Sequence, residues 1–198
     1  MGKHQVRRRV VFLDRDGVLN RPVVREGHPY PPQSVDEFAL YDGVEEACAI
    51  LKDAGFLLIV VTNQPDVGRG TQSCAAVEAM HAKLRAALPS LDGVEVCFHA
   101  GSEFGESCDC RKPKPGMLLR AAAAHGIELA KSYLVGDRWR DVDCAHAAGC
   151  RAVFIDHGYQ EPLRKRPHFT AVNLRDAARI ILRDAAAQIE LPAPLGSG

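Results

Sequence analysis

The sequence predicts a three-layer α/β/α domain of the Rossmann-like kind, a central and mostly parallel sheet with helices on both faces. Strand-like runs alternate with helix-like runs along the 198 residues. The strongest strands are continuously apolar, as in parallel strands covered on both faces. The chain is 46% apolar and 25% charged, ordinary for a protein with one sizeable core. Residues 1–190 read as a single domain without a separate cap domain, and 191–198 as a tail.

The strands, in order, are "RVVFLD" (9–14), "FLLIVVT" (56–62), "VEVCFH" (94–99), "SYLVGD" (132–137) and "RAVFID" (151–156). "DGVEEACAILKDAG" reads as a helix starting at Asp42, with Glu45 at capping-box spacing, and ending at Gly55. Ser73 is the expected N-cap of "SCAAVEAMHAKLRAAL". "KPGMLLRAAAAHG" begins after Pro115 and stops at Gly126, and "RWRDVDCAHAAG" ends at Gly149. Asn173 is placed to cap the last helix. Two long loops interrupt the alternation. One is a Pro-rich flap, 21–39, too polar for a strand in its middle; the other is 100–114. Loops of this length in a compact domain are usually functional.

Lys+Arg and Asp+Glu each total 25, a formal net charge of zero. That gives no overall pull toward nucleic acid or anionic membranes. No apolar run reaches the length of a membrane span, and the basic start lacks the apolar stretch of a signal peptide. A cytoplasmic, monomeric protein acting on a small molecule is expected, with no nucleic-acid or membrane partner.

The chemistry concentrates at strand ends. In open α/β sheets, ligands bind beyond the carboxyl ends of the strands. There the sequence places Asp14 and Asp16, then Thr62-Asn63-Gln64, then Asp137 with Asp141 four residues on, and Lys112 sits just before a helix. Carboxylates at 14, 16 and 137 repel one another unless a cation binds, and a few hard oxygens suit Mg²⁺. With the charge offset, an aspartate can attack phosphorus and form an aspartyl phosphate. A second carboxyl can protonate the leaving alkoxide and then activate water. Thr62 and Lys112 would balance charge on the transferring phosphoryl oxygens, and Gly17 would allow a tight turn. "CFHAGSEFGESCDC" supplies Cys97, His99, Cys108 and Cys110. Three thiolates and an imidazole form a closed tetrahedral Zn²⁺ set, hence a structural zinc. This zinc-binding loop, 97–110, runs directly into Arg111-Lys112, so metal binding would order both cations.

"DRDGVLN", "VVTNQ", "RKPKPGM" and "VGDRWRDVDCA", in this order, resemble the four motifs of the haloacid dehalogenase-like phosphatase superfamily. The likeness spans about residues 10–156. It implies Asp14 as nucleophile, Asp16 as general acid/base, and Thr62 and Lys112 as phosphoryl ligands, with Lys112 preferred to Lys114. It implies catalytic Mg²⁺ on the Asp14 and Asp137 side chains and the Asp16 carbonyl. "TNQ…RG" and "CDCRKPKPGMLL" resemble the branch holding the heptose-bisphosphate and histidinol phosphatases. That implies a sugar phosphate as substrate, Arg111 as a recognition residue, and carbohydrate metabolism as the setting. Arg15, Asn63, Gln64, Arg69, Arg111 and Arg138 are the candidate substrate contacts, with His28 and Tyr30 of the flap as further ones. Competing expectations are histidinol phosphate as substrate, a polynucleotide 3′-phosphatase, and an idle zinc-stabilised binding module. Pro65-Asp66-Val67-Gly68 departs from the heptose branch, which more often has Ser or Ala followed by Gly-Ile, and the flap is longer and richer in Pro.

Overall fold

The structure, a computed structural model, describes residues 7–25, 28–105 and 107–190. The 191–198 tail and the His28 side chain lie outside the described residues. The strands are β1 (Val10–Leu13), β2 (Val23–Arg25), β3 (His28–Tyr30), β4 (Leu57–Asn63), β5 (Gly93–Cys97), β6 (Tyr133–Gly136), β7 (Arg151–Ile155) and β8 (Phe169–Ala171). The helices are α1 (Val44–Asp53), α2 (Pro65–Gly68), α3 (Cys74–Ala87), α4 (Gly116–His125), α5 (Trp139–Ala148) and α6 (Leu174–Glu190). Six strands form one sheet in the order β5-β4-β1-β6-β7-β8, and every pairing in it is parallel.

The central strands β1, β4 and β6 are buried on both faces, which explains their apolar runs. The side-chain period of two divides them. Val11 and Leu13 face one layer with Leu58, Val60 and Val135, against α1, α3 and α6. Val10 and Phe12 face the other with Leu57, Ile59 and Leu134, against α4 and α5. A one-residue slip of β1 would exchange these two cores.

β1 lies between β4 and β6, so successive crossovers diverge to either side of it. Such a switch point leaves a crevice beyond the strand ends. Leu13 pairs with Val60 on β4 and with Val135 on β6. Continuing that register brings Asp14, Thr62 and Asp137 to one edge, the geometric basis of the site.

Local details depart from the sequence reading. The flap contains an antiparallel hairpin of β2 and β3, with Val23 opposite Tyr30. A strand needs only backbone partners on one side, so the polar middle of the flap did not prevent it. β8 was not foreseen; three residues are too few to show a period. Helix α1 is entered through Gly43 in the left-handed region, without a side-chain cap; Asp42 instead accepts from Arg21 at 2.7 Å. The other caps are as expected: Ser73 accepts from Ala76 N, Asn173 Oδ1 accepts from Asp176 N at 2.9 Å, and Gly126 and Gly149 end their helices in the left-handed conformation.

Candidate active site

β1 delivers Asp14 to the base of a cavity of about 210 Å³. Asp16, Gly17, Asn63, Arg111, Lys112, Asp137 and Arg138 line it with Asp14, together with Tyr30 of the flap and Tyr159. Gly17 makes the tight turn after β1 at φ +87°, and a Cβ there would fall 2.0 Å from Asp137 Oδ2. The close approach of the first loop to Asp137 thus requires glycine.

Lys112 is buried, 2% exposed. Its Nζ lies 2.9 Å from Asp14 Oδ1 and 2.7 Å from Asp141 Oδ1, and it donates to the Val61 carbonyl at 2.8 Å. Asn63 fixes the lysine's backbone from both sides: its Oδ1 accepts from Lys112 N at 3.0 Å and its Nδ2 donates to Lys112 O at 3.1 Å. Burial alone would depress the ammonium's pKa, but Asp14 and Asp141 overcome it and the net shift is upward.

The carboxylates outnumber that ammonium. Asp14, Asp137 and Asp141 each offer an oxygen within 4.8 Å of the others. Burial, with Asp141 and Asp16 nearby, pushes Asp14 up to about 7 despite Lys112. Burial, then Asp14 and Asp141, raise Asp137 well above the usual carboxylate range. With all three ionised, Lys112 leaves two negative charges uncompensated, the charge of one divalent cation. Asp137 Oδ1 is moreover buried without a hydrogen-bond partner, a costly state for a carboxylate oxygen unless a ligand meets it. The residues therefore fit a hard divalent cation.

Asp16 is held apart from this cluster. It accepts from Arg15 Nη2 at 2.9 Å, Asn20 Nδ2 at 3.0 Å and Gln64 Nε2 at 2.8 Å. Gln64 Nε2 also donates to Thr62 Oγ1 at 2.8 Å.

The second metal-like cluster is at the end of β5. Cys97 Sγ is 3.8 Å from Cys108 Sγ, and His99 Nδ1 is 3.5 Å from Cys97 Sγ and 3.3 Å from Cys110 Sγ. Sulfurs about 2.3 Å from a tetrahedral zinc are about 3.8 Å apart, so the spacing fits. Arg111 Nη1 donates to the His99 carbonyl at 3.3 Å, linking this cluster to the cavity.

Several candidate contacts are placed elsewhere. Arg15 is fully buried and spends its guanidinium on Asp16 and His81; it does not reach the cavity as a substrate contact. Gln64 and Thr62 are buried and absent from the cavity lining, joined to each other instead. Arg69 pairs with Asp66 at 3.6 Å and Glu103 at 3.1 Å, anchoring its loop. Arg138 lines the cavity but its Nε donates to Glu161. Lys114, the rejected lysine, is exposed and pairs with Asp109 at 3.6 Å. The sequence points to Asp141 beside Asp137 without giving it a role, and does not point to Tyr159 or His81. For Asp141 the signal was its spacing, one helical turn beyond Asp137; Tyr159 and His81 had none.

The chain as a whole is similar to known proteins. A family model described as "HAD-hyrolase-like" matches residues 109–177. The D-glycero-beta-D-manno-heptose-1,7-bisphosphate 7-phosphatase of Yersinia pestis is 42% identical over 146 residues, 70% of this chain and 74% of that protein. The chain belongs to the haloacid dehalogenase-like phosphatase family. The enzyme of the same name from Pseudomonas aeruginosa is 37% identical over 155 residues, 76% of this chain and 83% of that protein. Among solved structures, the D,D-heptose 1,7-bisphosphate phosphatase from B. bronchiseptica, complexed with magnesium and phosphate, superposes with a TM-score of 0.74 at 29% identity. It covers 89% of this chain and 99% of that one. Haloacid dehalogenase-like phosphatases use Mg²⁺, in keeping with the charge deficit at Asp14, Asp137 and Asp141. No helix among the described residues is long and apolar enough to cross a membrane.

Proposed function

We propose that this chain removes the 7-phosphate of D-glycero-D-manno-heptose 1,7-bisphosphate through an aspartyl phosphate on Asp14. The observation that carries the reading is the grouping of Asp14, Asp16, Lys112 and Asp137 around one cavity, in a chain 37–42% identical to enzymes of that name. The Asp14 and Asp137 side chains and the Asp16 carbonyl would hold Mg²⁺, which supplies charge stabilisation on the phosphoryl oxygens when bound. Asp14 attacks phosphorus while the bond to the leaving oxygen breaks. Asp16, once protonated, gives its proton to that oxygen and then takes one from the water that hydrolyses the intermediate. Lys112 keeps Asp14 oriented and neutralises charge at the phosphoryl group.

Arg111 and Arg138 at the cavity rim suit a substrate with a second phosphate. Histidinol phosphate would need a carboxylate for its ammonium. At the cavity Asp14 and Asp141 pair with Lys112 and Asp16 with Arg15, Asp137 is the carboxylate assigned above to Mg²⁺, and Glu161 at the rim is paired with Arg138 and Arg140. Cys97, His99, Cys108 and Cys110 would hold a structural zinc with no open position for substrate. A phosphate-release screen with Mg²⁺ over heptose 1,7-bisphosphates, fructose 1,6-bisphosphate and histidinol phosphate tests the proposal. Highest kcat/KM on a heptose bisphosphate is expected. Preference for histidinol phosphate would transfer the chain to that activity, and absence of any turnover would favour an idle binding module.

A further inference from the structure

Arg15 presents an unusual demand: a guanidinium with no exposed surface at all. Such a group must have its donors satisfied inside the protein. Nε and Nη2 are directed at the Asp16 carboxylate, at 3.3 Å from Oδ1 and 2.9 Å from Oδ2. Nη1 points the other way, to His81 Nε2 at 3.3 Å. The Phe38 ring lies 5.7 Å beneath the guanidinium carbon.

His81 comes from the middle of α3 (Cys74–Ala87) and is itself fully buried. An arginine only donates, so Nε2 must carry the lone pair and the proton sits on Nδ1. It is Arg15 that sets this tautomer, because Nδ1 is buried without a hydrogen-bond partner. Nδ1 faces the Glu78 carboxylate at 3.6 Å, beyond hydrogen-bond reach. Burial and the Arg15 charge also keep the ring neutral, its pKa lowered to about 4 although Glu78 pulls the other way. A helical histidine on the inner face of α3 would ordinarily be core filling. Here its neighbours on that face, Val77, Met80 and Leu84, are all apolar, and its Nε2 meets Arg15.

We infer that His81 is a positioning residue for the leaving-group proton: it fixes the Arg15 fork, and the fork holds Asp16 at the cavity. The inference rests on the role given above to Asp16. The chain of contacts runs from α3 through His81 Nε2, Arg15 Nη1 and Nη2 to the Asp16 carboxylate, crossing from a helix that contributes nothing else to the site. Without an acceptor at position 81, Nη1 is orphaned in the core. The guanidinium gains by turning toward another partner, and Asp16 loses its planar, two-point restraint.

The consequence depends on the leaving group. An alkoxide must receive a proton as the bond to phosphorus breaks, whereas p-nitrophenolate leaves readily as the anion. The test compares KM and the first-turnover rate of leaving-group release, which precedes the shared second step that Asp16 serves as base, in wild type, His81→Met, His81→Gln and Asp16→Asn, with Mg²⁺. The two substrates are p-nitrophenyl phosphate and the best alkyl phosphate of the screen above. For His81→Met, that rate on the alkyl phosphate should fall about tenfold, the usual scale for losing an outer partner of a functional group. KM and the first-turnover rate of the aryl ester should stay within about twofold. His81→Gln, which keeps an acceptor within reach, should recover most of the loss. If His81→Met does not fold, His81→Asn, polar but too short to reach Arg15, carries the same expectation. Equal losses on both substrates, or none on the alkyl ester, with Asp16→Asn discriminating between them, would overturn the role of His81. If Asp16→Asn itself slows first-turnover release equally from both substrates, the role given to Asp16 as the acid is what fails.

Discussion

Acid should destabilise the metal-free fold through His81, by an amount the structure sets. In the unfolded chain the imidazole titrates near 6.5; in the fold it is lowered to about 4, first by burial and then by the Arg15 guanidinium. Between those values the unfolded chain binds a proton that the folded chain refuses. Stability therefore rises with pH across that window, is complete above about 6.5, and is lost as pH falls toward 4. At about 1.4 kcal/mol per pKa unit, the loss is about 2 kcal/mol from pH 7 to pH 5 and about 3 kcal/mol by pH 4. Asp14 and Asp137 are shifted upward and so contribute with the opposite sign, so wild type alone would not isolate the effect. The difference between wild type and His81→Gln does, since the carboxylates are common to both. Urea denaturation at pH 7, 6 and 5 measures it. The stability of His81→Gln relative to wild type should improve by about 2 kcal/mol over that range. Parallel pH profiles for the two proteins would refute the reasoning, because they would mean that the ring is not held neutral.

Gly17→Ala places a Cβ 2.0 Å from Asp137 Oδ2 at φ +87°. It should cost about 1–3 kcal/mol of stability and most of the metal-dependent turnover, read by denaturation and phosphate release. Lys112→Met removes the ammonium between Asp14 and Asp141. It should abolish turnover and cost about 3 kcal/mol at pH 8 without metal, with part of the stability restored by Mg²⁺. Elemental analysis should find about one zinc per chain. Cys108→Ser with Cys110→Ser should lose the zinc and lower activity, because the loop they close leads directly into Arg111 and Lys112; full activity in that variant would remove the ordering role. Arg111→Ala should raise KM for a sugar bisphosphate about tenfold or more while changing that for p-nitrophenyl phosphate little.

Much of the fold was legible because its central strands β1, β4 and β6 are apolar and covered on both faces, and its helices carry ordinary start and stop residues. Ser73, Asn173, Gly126 and Gly149 act where local chemistry said they would. The flap hairpin and β8 were not legible: each strand has three residues, too few for a pattern, and each is specified by a backbone partner elsewhere. Asp42 is not the cap because the chain enters α1 one residue later, through Gly43 at φ +79°, and the Asp42 carboxylate is left on the surface beside Arg21.

The sequence by itself determined the chemistry available: carboxylates after β1 and β6, a lysine before α4, three thiols and an imidazole at metal-ligand spacing. Those depend on residue type and on strand order, both written along the chain. Only the tertiary structure decided how each group is used. Parallel register at a switch point brings Asp14, Asp137 and Asp141 within 4.8 Å, and burial then raises the proton affinity of Asp14 and Asp137. Arg15 and Asp16 are adjacent in sequence, yet the arginine is turned into the core by His81, 66 residues away. Side-chain direction and dielectric arise from packing among distant segments, so the difference between a substrate contact and a buried support became readable only once the chain had folded.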